Sequence, residues 1–488
     1  MRAADLVLLL PIILPAVTAA AVMLVLAFRR SHGLTVGLTL AGLAASFASV
    51  LGVAALAPQQ VTSLVVVDGY ALFFMGLIIG ATFVVTLQAR AYLKGRAGRP
   101  EEFYILLVLA ATGATTLAAS SHFASFLLGL EMLSVSLYAL IAYEREGPLG
   151  VEAGIKYLIL AAFSAGFLLF GMALVYAGVG TMEFLAIGAR LRAGGQVQSE
   201  LVLLGLAMML VGVGFKLALV PFHLWAPDVY EGAPAPVSGF IATVSKGAVF
   251  ALLLRYCSFL HLHAYGPVQL LFVLIAIASM FGGNLLALLQ NNVKRLLAYS
   301  SIAHLGYLLV ALLASGPLAI AAAGYYLVAY FVTTLGAWGV VTALSGKEGD
   351  AEALDDYRGL AWRRPWLAGV FTAMLLSLIG IPVTAGFVGK FYVLMAGVRS
   401  SLWLPVVILV INSAIGLFYY LRVVIVLYRH ARSEEPASGA LREPSLVVPS
   451  LSLTGGVALC GLTLALIWLG VYPATMIRII EATAAHAF

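Results

Sequence analysis

The sequence predicts an all-α polytopic membrane protein of about fourteen transmembrane helices, carrying two inverted five-helix repeats in which helices 7 and 12 are discontinuous. Three observations lead there. Of 488 residues, 63% are hydrophobic and 10% charged, with mean hydropathy +1.07, which excludes a soluble globule. Apolar windows of about 20 residues recur along the whole chain. Two of those windows are interrupted by proline beside a lysine.

The windows lie near 4–27, 34–57, 69–92, 103–120, 122–143, 153–177, 201–225, 237–259, 267–289, 298–314, 317–344, 365–396, 403–429 and 446–471. The first is too long for the apolar region of a signal peptide and is preceded only by Arg2, so it counts as a span. With the N-terminus outside, the cytoplasmic loops receive fifteen basic residues: Arg29, Arg30, Lys94, Arg96, Arg99, Arg145, Lys294, Arg295, Lys347, Arg358, Arg363, Arg364, Arg429, Arg432 and Arg442. The outer side receives five: Arg2, Arg190, Arg192, Arg399 and Arg478. That asymmetry places both termini on the outer side of the membrane. Arg90 and Arg255 are expected to snorkel from helix ends. The segment DDYRGLAWRRP is expected as a short interfacial helix or a structural loop.

Five charges fall inside the apolar runs: Glu131, Lys156, Lys216, Lys246 and Lys390. On insertion scales each costs roughly 2.5–3.5 kcal/mol, on the order of 15 kcal/mol together before any pairing. A chain that only had to sit in lipid has no use for them, so they read as a path for protons.

Pro221 follows Lys216 by five residues, and Pro382 precedes Lys390 by eight. A proline removes a backbone hydrogen bond, and an unwound turn survives in lipid only where protein or water covers it. The alternative is a simple kink. Helices 4–8 and 9–13 form two blocks of five, each with its broken, lysine-bearing member in fourth place. Five is odd, so consecutive blocks must be inverted, the arrangement that gives transporters half-paths to opposite faces. The expected units are 1–102, 103–260, 261–430 and 431–488.

Glu131 is read as the only carboxylate buried in mid-span. A carboxylate and a lysine within reach stabilise each other's charge, and apart both tend to neutralise. A lysine so placed is a proton store that the carboxylate switches; the competing possibility is a static ion pair joining two helices. His223 lies just past the Pro221 break and is either a relay or a plain hydrogen-bond donor. His304, placed near a helix start, and Arg422 are secondary relay candidates, Arg422 alternatively snorkelling. Tyr325, Tyr326 and Tyr330 are read as packing.

Cys257 and Cys460 are too few for a disulfide framework, a four-cysteine cluster or a cysteine zinc site. No nucleotide-binding glycine motif is present, and topology, not nucleic acid, accounts for the +6 charge. No metal-ligand or Ser–His–Asp grouping stands out, so covalent catalysis within the chain is not expected.

The segments KLALVPFHLWAPDVYEGAPAPVSGFIATVSKGA (216–248) and NNVKRLLAYSSIAHLGYLL (291–309) resemble the proton-pumping, antiporter-like membrane subunits of respiratory complex I. The wording HLWAPDVYEGAP and a lysine at position 390 resemble the N type, whereas the M type carries glutamate there. The resemblance implies that Glu131 and Lys216 form a modulating pair, Lys246 the middle relay and Lys390 the exit-side site, with His223 and Lys156 at family positions. It implies no cofactor on this chain, with NADH, FMN, iron–sulfur clusters and quinone held by partner subunits. The implied partners are the other complex I membrane subunits, the lipid bilayer and protons, with no nucleic acid. A stand-alone cation/proton antiporter or membrane-bound hydrogenase subunit is the alternative.

Overall fold

The computed structural model describes residues 3–96, 98–144, 147–194, 200–261, 266–347, 349–430 and 451–484. Arg2, Arg145, Arg432 and Arg442 of the charge count, and the start of the fourteenth window, lie outside the described residues. Among the described residues, thirteen helices are long and apolar enough to cross a membrane, and the shorter Pro365–Ile379 begins a further span. The protein is therefore a multi-pass membrane protein.

The spans run Leu10–Phe28, His32–Val53, Gly69–Leu93, Pro100–Ala119, Phe123–Ile141 and Pro148–Val179. The seventh is Glu200–Leu217 followed, after a break, by Trp225–Gly232. Next come Ala235–Leu260, Gly266–Leu288, Val293–Leu313 and Pro317–Leu344. The twelfth is Pro365–Ile379 with Ala385–Arg399, and Trp403–Tyr428 and Leu453–Val471 complete the series.

Local chemistry sets several of these ends. Proline occupies the first turn of the fourth, sixth, eleventh and twelfth spans, where its missing N–H costs nothing. Side chains of Asp68, His122, Asn292, Thr384 and Ser452 accept from first-turn amides as N-caps. The sixth and seventh spans approach at Gly171 and Gly205, where an added Cβ would lie 2.6 and 2.8 Å from the partner glycine's carbonyl. Small residues at such crossings let two backbones meet in lipid.

Burial ranks the helices. The best windows of the eighth and tenth spans are 100% buried and that of the eleventh 89%, against 33% for the first, second, sixth and fourteenth. The bundle is thus built around spans 8, 10 and 11, and polar groups on them are shielded from lipid on every side.

The loops add three elements that windowing did not foresee. Gln59–Gln60 pairs antiparallel with Val66–Val67 between spans 2 and 3, helix Phe184–Gly194 lies between spans 6 and 7, and Pro473–Ala484 follows span 14. By parity the hairpin and the last helix share one face of the membrane. DDYRGLAWRRP folds as a 3-10 turn, Leu354–Tyr357, and one helical turn, Leu360–Arg363, with Trp362 exposed.

Candidate functional site: a buried lysine–hydroxyl–histidine chain

The centre of the site is Lys246. It follows a π-helical turn, Ile241–Ser245, a local widening common at functional positions. Lys246 is 1% exposed; its Nζ donates to Ser301 Oγ on span 10 at 2.7 Å and lies 5.4 Å from the Tyr230 ring centre. Tyr330 of span 11 donates to the same Ser301 oxygen at 2.8 Å.

One turn beyond Ser301 stands His304, in the middle of span 10 and not near its start as the windows implied. Its Nδ1 meets Tyr326 OH at 2.7 Å and its Nε2 meets Tyr420 OH at 3.4 Å; Tyr420 also bonds Ser300. Tyr326 and Tyr330 are thus part of the polar chain. Only Tyr325 keeps a packing role, donating to the Leu469 carbonyl of span 14. A small cavity with room for about one water lies among His304, Tyr326, Tyr330, Ser377 and Lys390.

Lys390, 7% exposed, closes the far end. Its Nζ donates to the carbonyls of Leu378 (3.0 Å) and Ile379 (2.7 Å) and to Ser413 Oγ (2.8 Å). Those carbonyls end the first half of span 12; Ser413 Oγ also donates to that of Ile379 at 3.2 Å, and Lys390 serves that of Leu378. The break itself runs through Gly380 and Val383, both at positive φ (88° and 75°). Glycine takes the first position without strain.

Lys216, 3% exposed, stands at the end of the first half of span 7. Its Nζ donates to Ser134 Oγ at 2.7 Å and to Tyr157 OH at 3.4 Å. Glu131 lies one turn before Ser134 on span 5 and does not touch Lys216 in this structure. It is also only partly buried, beside the exposed Leu128 and Met132, with Oε1 sealed and without a partner. Between Lys216 and Lys246 stand the rings of Tyr157, Trp225 and Tyr230, with centroids 5.0 and 6.4 Å apart in turn. His223 lies in the break, its Nδ1 buried without a partner.

Three expectations need correction. Lys156 is not an isolated intramembrane charge: it pairs with Glu152 (2.7 Å) and Asp228 (2.9 Å), and its side chain is 43% exposed. Arg255 does not snorkel. It is fully buried and forked onto Asp68, at 2.9 and 2.7 Å, because the Asp68 cap of span 3 faces it across the bundle. Arg422 does not snorkel: it donates to the carbonyls of Leu288 and Gln290 at the end of span 9.

On the face opposite the hairpin, ion pairs tie the segments together. Asp350 accepts from Tyr92, Arg96, Lys294 and the Ala235 amide that starts span 8. Lys294 also donates to the carbonyls of Glu231 and Ala233, closing the second half of span 7. Arg295 reaches Asp228 and Glu231 on that same half-helix. Burial pushes the Asp350 carboxyl upward, but Lys294 and Arg96 outweigh it and hold the group below its usual range. Among the described residues no group of three His, Cys, Asp or Glu is placed to hold a metal ion.

Sequence reasoning missed Ser134, Tyr157, Ser301, Tyr420, Ser413 and Asp350. One signal was available: AYSSIAHLGYLL sets serine, histidine and tyrosine at helical spacing in a run otherwise fit for burial.

A membrane bundle with two interrupted helices and buried lysines bonded to hydroxyls is the antiporter-like class, and residues 120–416 match the family described as NADH:quinone oxidoreductase/Mrp antiporter, TM. The NADH-quinone oxidoreductase subunit N of Nitrosospira multiformis is 56% identical over 98% of this chain and 96% of its own. A chain of respiratory complex I from Thermus thermophilus is 34% identical with TM-score 0.80, covering 96% of this chain and 98% of that one. A chain of the Mrp complex from Dietzia sp. matches with TM-score 0.85 at 20% identity, over 98% and 97% of the two chains, a likeness of fold alone. The chain belongs to the NADH-quinone oxidoreductase subunit N family.

Proposed function

We propose that this chain is a proton-translocating membrane subunit of an NADH-quinone oxidoreductase, coupling quinone reduction on other subunits to proton movement through its buried lysines. The observation that carries the proposal is the run Lys246–Ser301–Tyr330 with His304–Tyr326 beside it, ending on the cavity at Lys390. Hydroxyls and an imidazole both donate and accept, so such a run can pass a proton where apolar packing cannot. Lys216 is the store at the start, Glu131 the group that biases it, Lys246 the middle relay and Lys390 the exit-side site. His223, in the break between Lys216 and Lys246, is assigned a relay role. Lys156 is assigned to the ion-pair face, holding the second half of span 7.

In this proposal the bundle comprises two inverted repeats, helices 4–8 and 9–13, and the ion-pair face is cytoplasmic in a bacterial inner membrane. NADH, FMN, iron–sulfur clusters and quinone sit on partner subunits. Purification of the tagged chain from native membranes tests the assignment. NADH-oxidising and quinone-module subunits should accompany it; antiporter-like subunits alone would favour a stand-alone cation/proton antiporter.

A further inference from the structure

The eleventh span links the relay to a groove on the outside of the bundle. The groove has a volume of about 600 Å³, within the range of roughly 300–1,000 Å³ usual for small-molecule sites, and its lining is almost wholly apolar. Spans 2, 3, 11 and 14 wall it, and the short helix Pro473–Ala484 roofs its hairpin-face end through Met476 and Ile479. Along span 3 it runs from Gly69 to Val84. Fifteen residues of helix measure about 22 Å, somewhat more than the roughly 15 Å of one leaflet of a hydrocarbon core about 30 Å thick.

Its floor is made by absent side chains. A Cβ on Gly76 would meet Val50 at 3.7 Å and one on Gly80 would meet Phe47 at 3.9 Å, ordinary contact distances, so a side chain can be placed at either position without collision. Its mouth opens sideways, where Phe47 and Leu51 are 42% and 68% exposed. Arg478 is exposed on the roofing helix, with Glu481 three residues on.

The inner wall reaches the site. Phe331 lines the groove, and its ring presses on Gly247 so closely that any side chain at 247 would collide with it. Gly247 is the neighbour of Lys246. A body filling the groove therefore backs the ring that holds the π-turn region of span 8 in place.

We propose that this groove holds one acyl chain of a phospholipid from the hairpin-face leaflet, its phosphate at Arg478, and that occupancy supports Lys246 through Phe331 and Gly247. Bilayer depth, apolar lining, sideways opening and an exposed cation on the roofing helix together describe a lipid rather than a polar metabolite. The supporting effect on Lys246 rests on the proposed function; the lipid site does not.

The test uses the intact complex after mild delipidation. By native mass spectrometry the wild type should retain one phospholipid more than the Gly76→Leu/Gly80→Leu variant, whose added side chains fill the groove. Adding phosphatidylglycerol back should raise proton pumping of the wild type by about fivefold, at the low end of allosteric couplings, and leave the filled variant unchanged. Arg478→Gln, a surface change that should not disturb folding, should lose the lipid at milder washing. A benzoylphenylalanine replacing Leu51 should cross-link to phospholipid on illumination. Equal retention in wild type and filled variant, or a cross-link to polypeptide or quinone, overturns the site. Retention of the lipid without any effect on turnover overturns the link to Lys246. A Lys246→Ala complex that pumps normally would instead overturn the proposed function and leave the retention result standing.

Discussion

In span 12 the carbonyls left open by the break are closed by Lys390 itself, through Leu378 and Ile379. In span 7 the same task falls to other groups. The Trp225 indole and the Ala218 amide close on the Phe215 carbonyl, and Lys294, from span 10, closes the far end of the second half-helix. Lys216 is thereby released from any structural duty. Its hydroxyl partners, Ser134 and Tyr157, can each donate or accept, so they tolerate either protonation state. Around Lys390 two of the three partners are fixed carbonyls, which only accept. One broken helix carries a lysine free to respond to its surroundings, and the other a lysine whose surroundings are built into the backbone.

The comparison can be broken most forcefully at Lys216. Lys216→Ala should assemble normally, since no backbone group depends on it, yet lower quinone reduction and pumping together by about 100-fold, the usual scale of a lost proton-transfer group. Wild-type turnover in an assembled complex would remove Lys216 from the path. Lys390→Ala should differ in kind: besides stopping protons it leaves the buried Leu378 carbonyl open, costing about 1–3 kcal/mol, while Ser413 still serves Ile379. Lys390→Arg keeps a permanent donor, so it should restore thermal stability without restoring pumping. Recovery of both by arginine would show that Lys390 only caps the helix.

The ion-pair face offers a third, smaller test. Asp350→Asn breaks a buried pair and should lower stability by about 3–5 kcal/mol, read as a lower melting temperature near neutral pH. Because the folded-state carboxyl is held below its ordinary value of about 3.9, its contribution is present above that value and fades as pH falls through the depressed one. The gap between wild type and Asp350→Asn should therefore be constant from about pH 5 to 8 and close only in stronger acid. A gap that changed between pH 6 and 8 would place the titrating group elsewhere. The smallest effect is expected at Glu131, which lies a turn from the Lys216 contact: Asp should cost little and Gln about fivefold in turnover.

The helices and both breaks were legible because bilayer thickness imposes a run of apolar residues, and proline marks where it fails. Lys216, Lys246 and Lys390 stood out for the same reason, as charges in apolar runs. The hydroxyl chain was hidden, since serine and tyrosine are common in membrane helices and only the deep burial of spans 10 and 11 makes Ser301, Tyr326 and Tyr330 informative. The Asp68–Arg255 pair was hidden because its partners lie 187 residues apart and one sits in a loop. Lys156 misled because its partners fall outside its apolar window: Glu152 lies just before the window that began at 153, and Asp228 stands in the second half of span 7.

The claim that Lys216 responds to Glu131 while Lys390 does not is tested most directly by placing Glu131→Gln in two impaired backgrounds. Pumping is measured in reconstituted complexes carrying Lys216→Arg or Ser413→Ala, each with and without Glu131→Gln. With arginine permanently charged at 216, the glutamine should cost nothing further. In the Ser413→Ala background it should cost its full factor of about five, as distant independent sites add. The same factor in both backgrounds would mean that Glu131 serves another partner and that Lys216 is no switch.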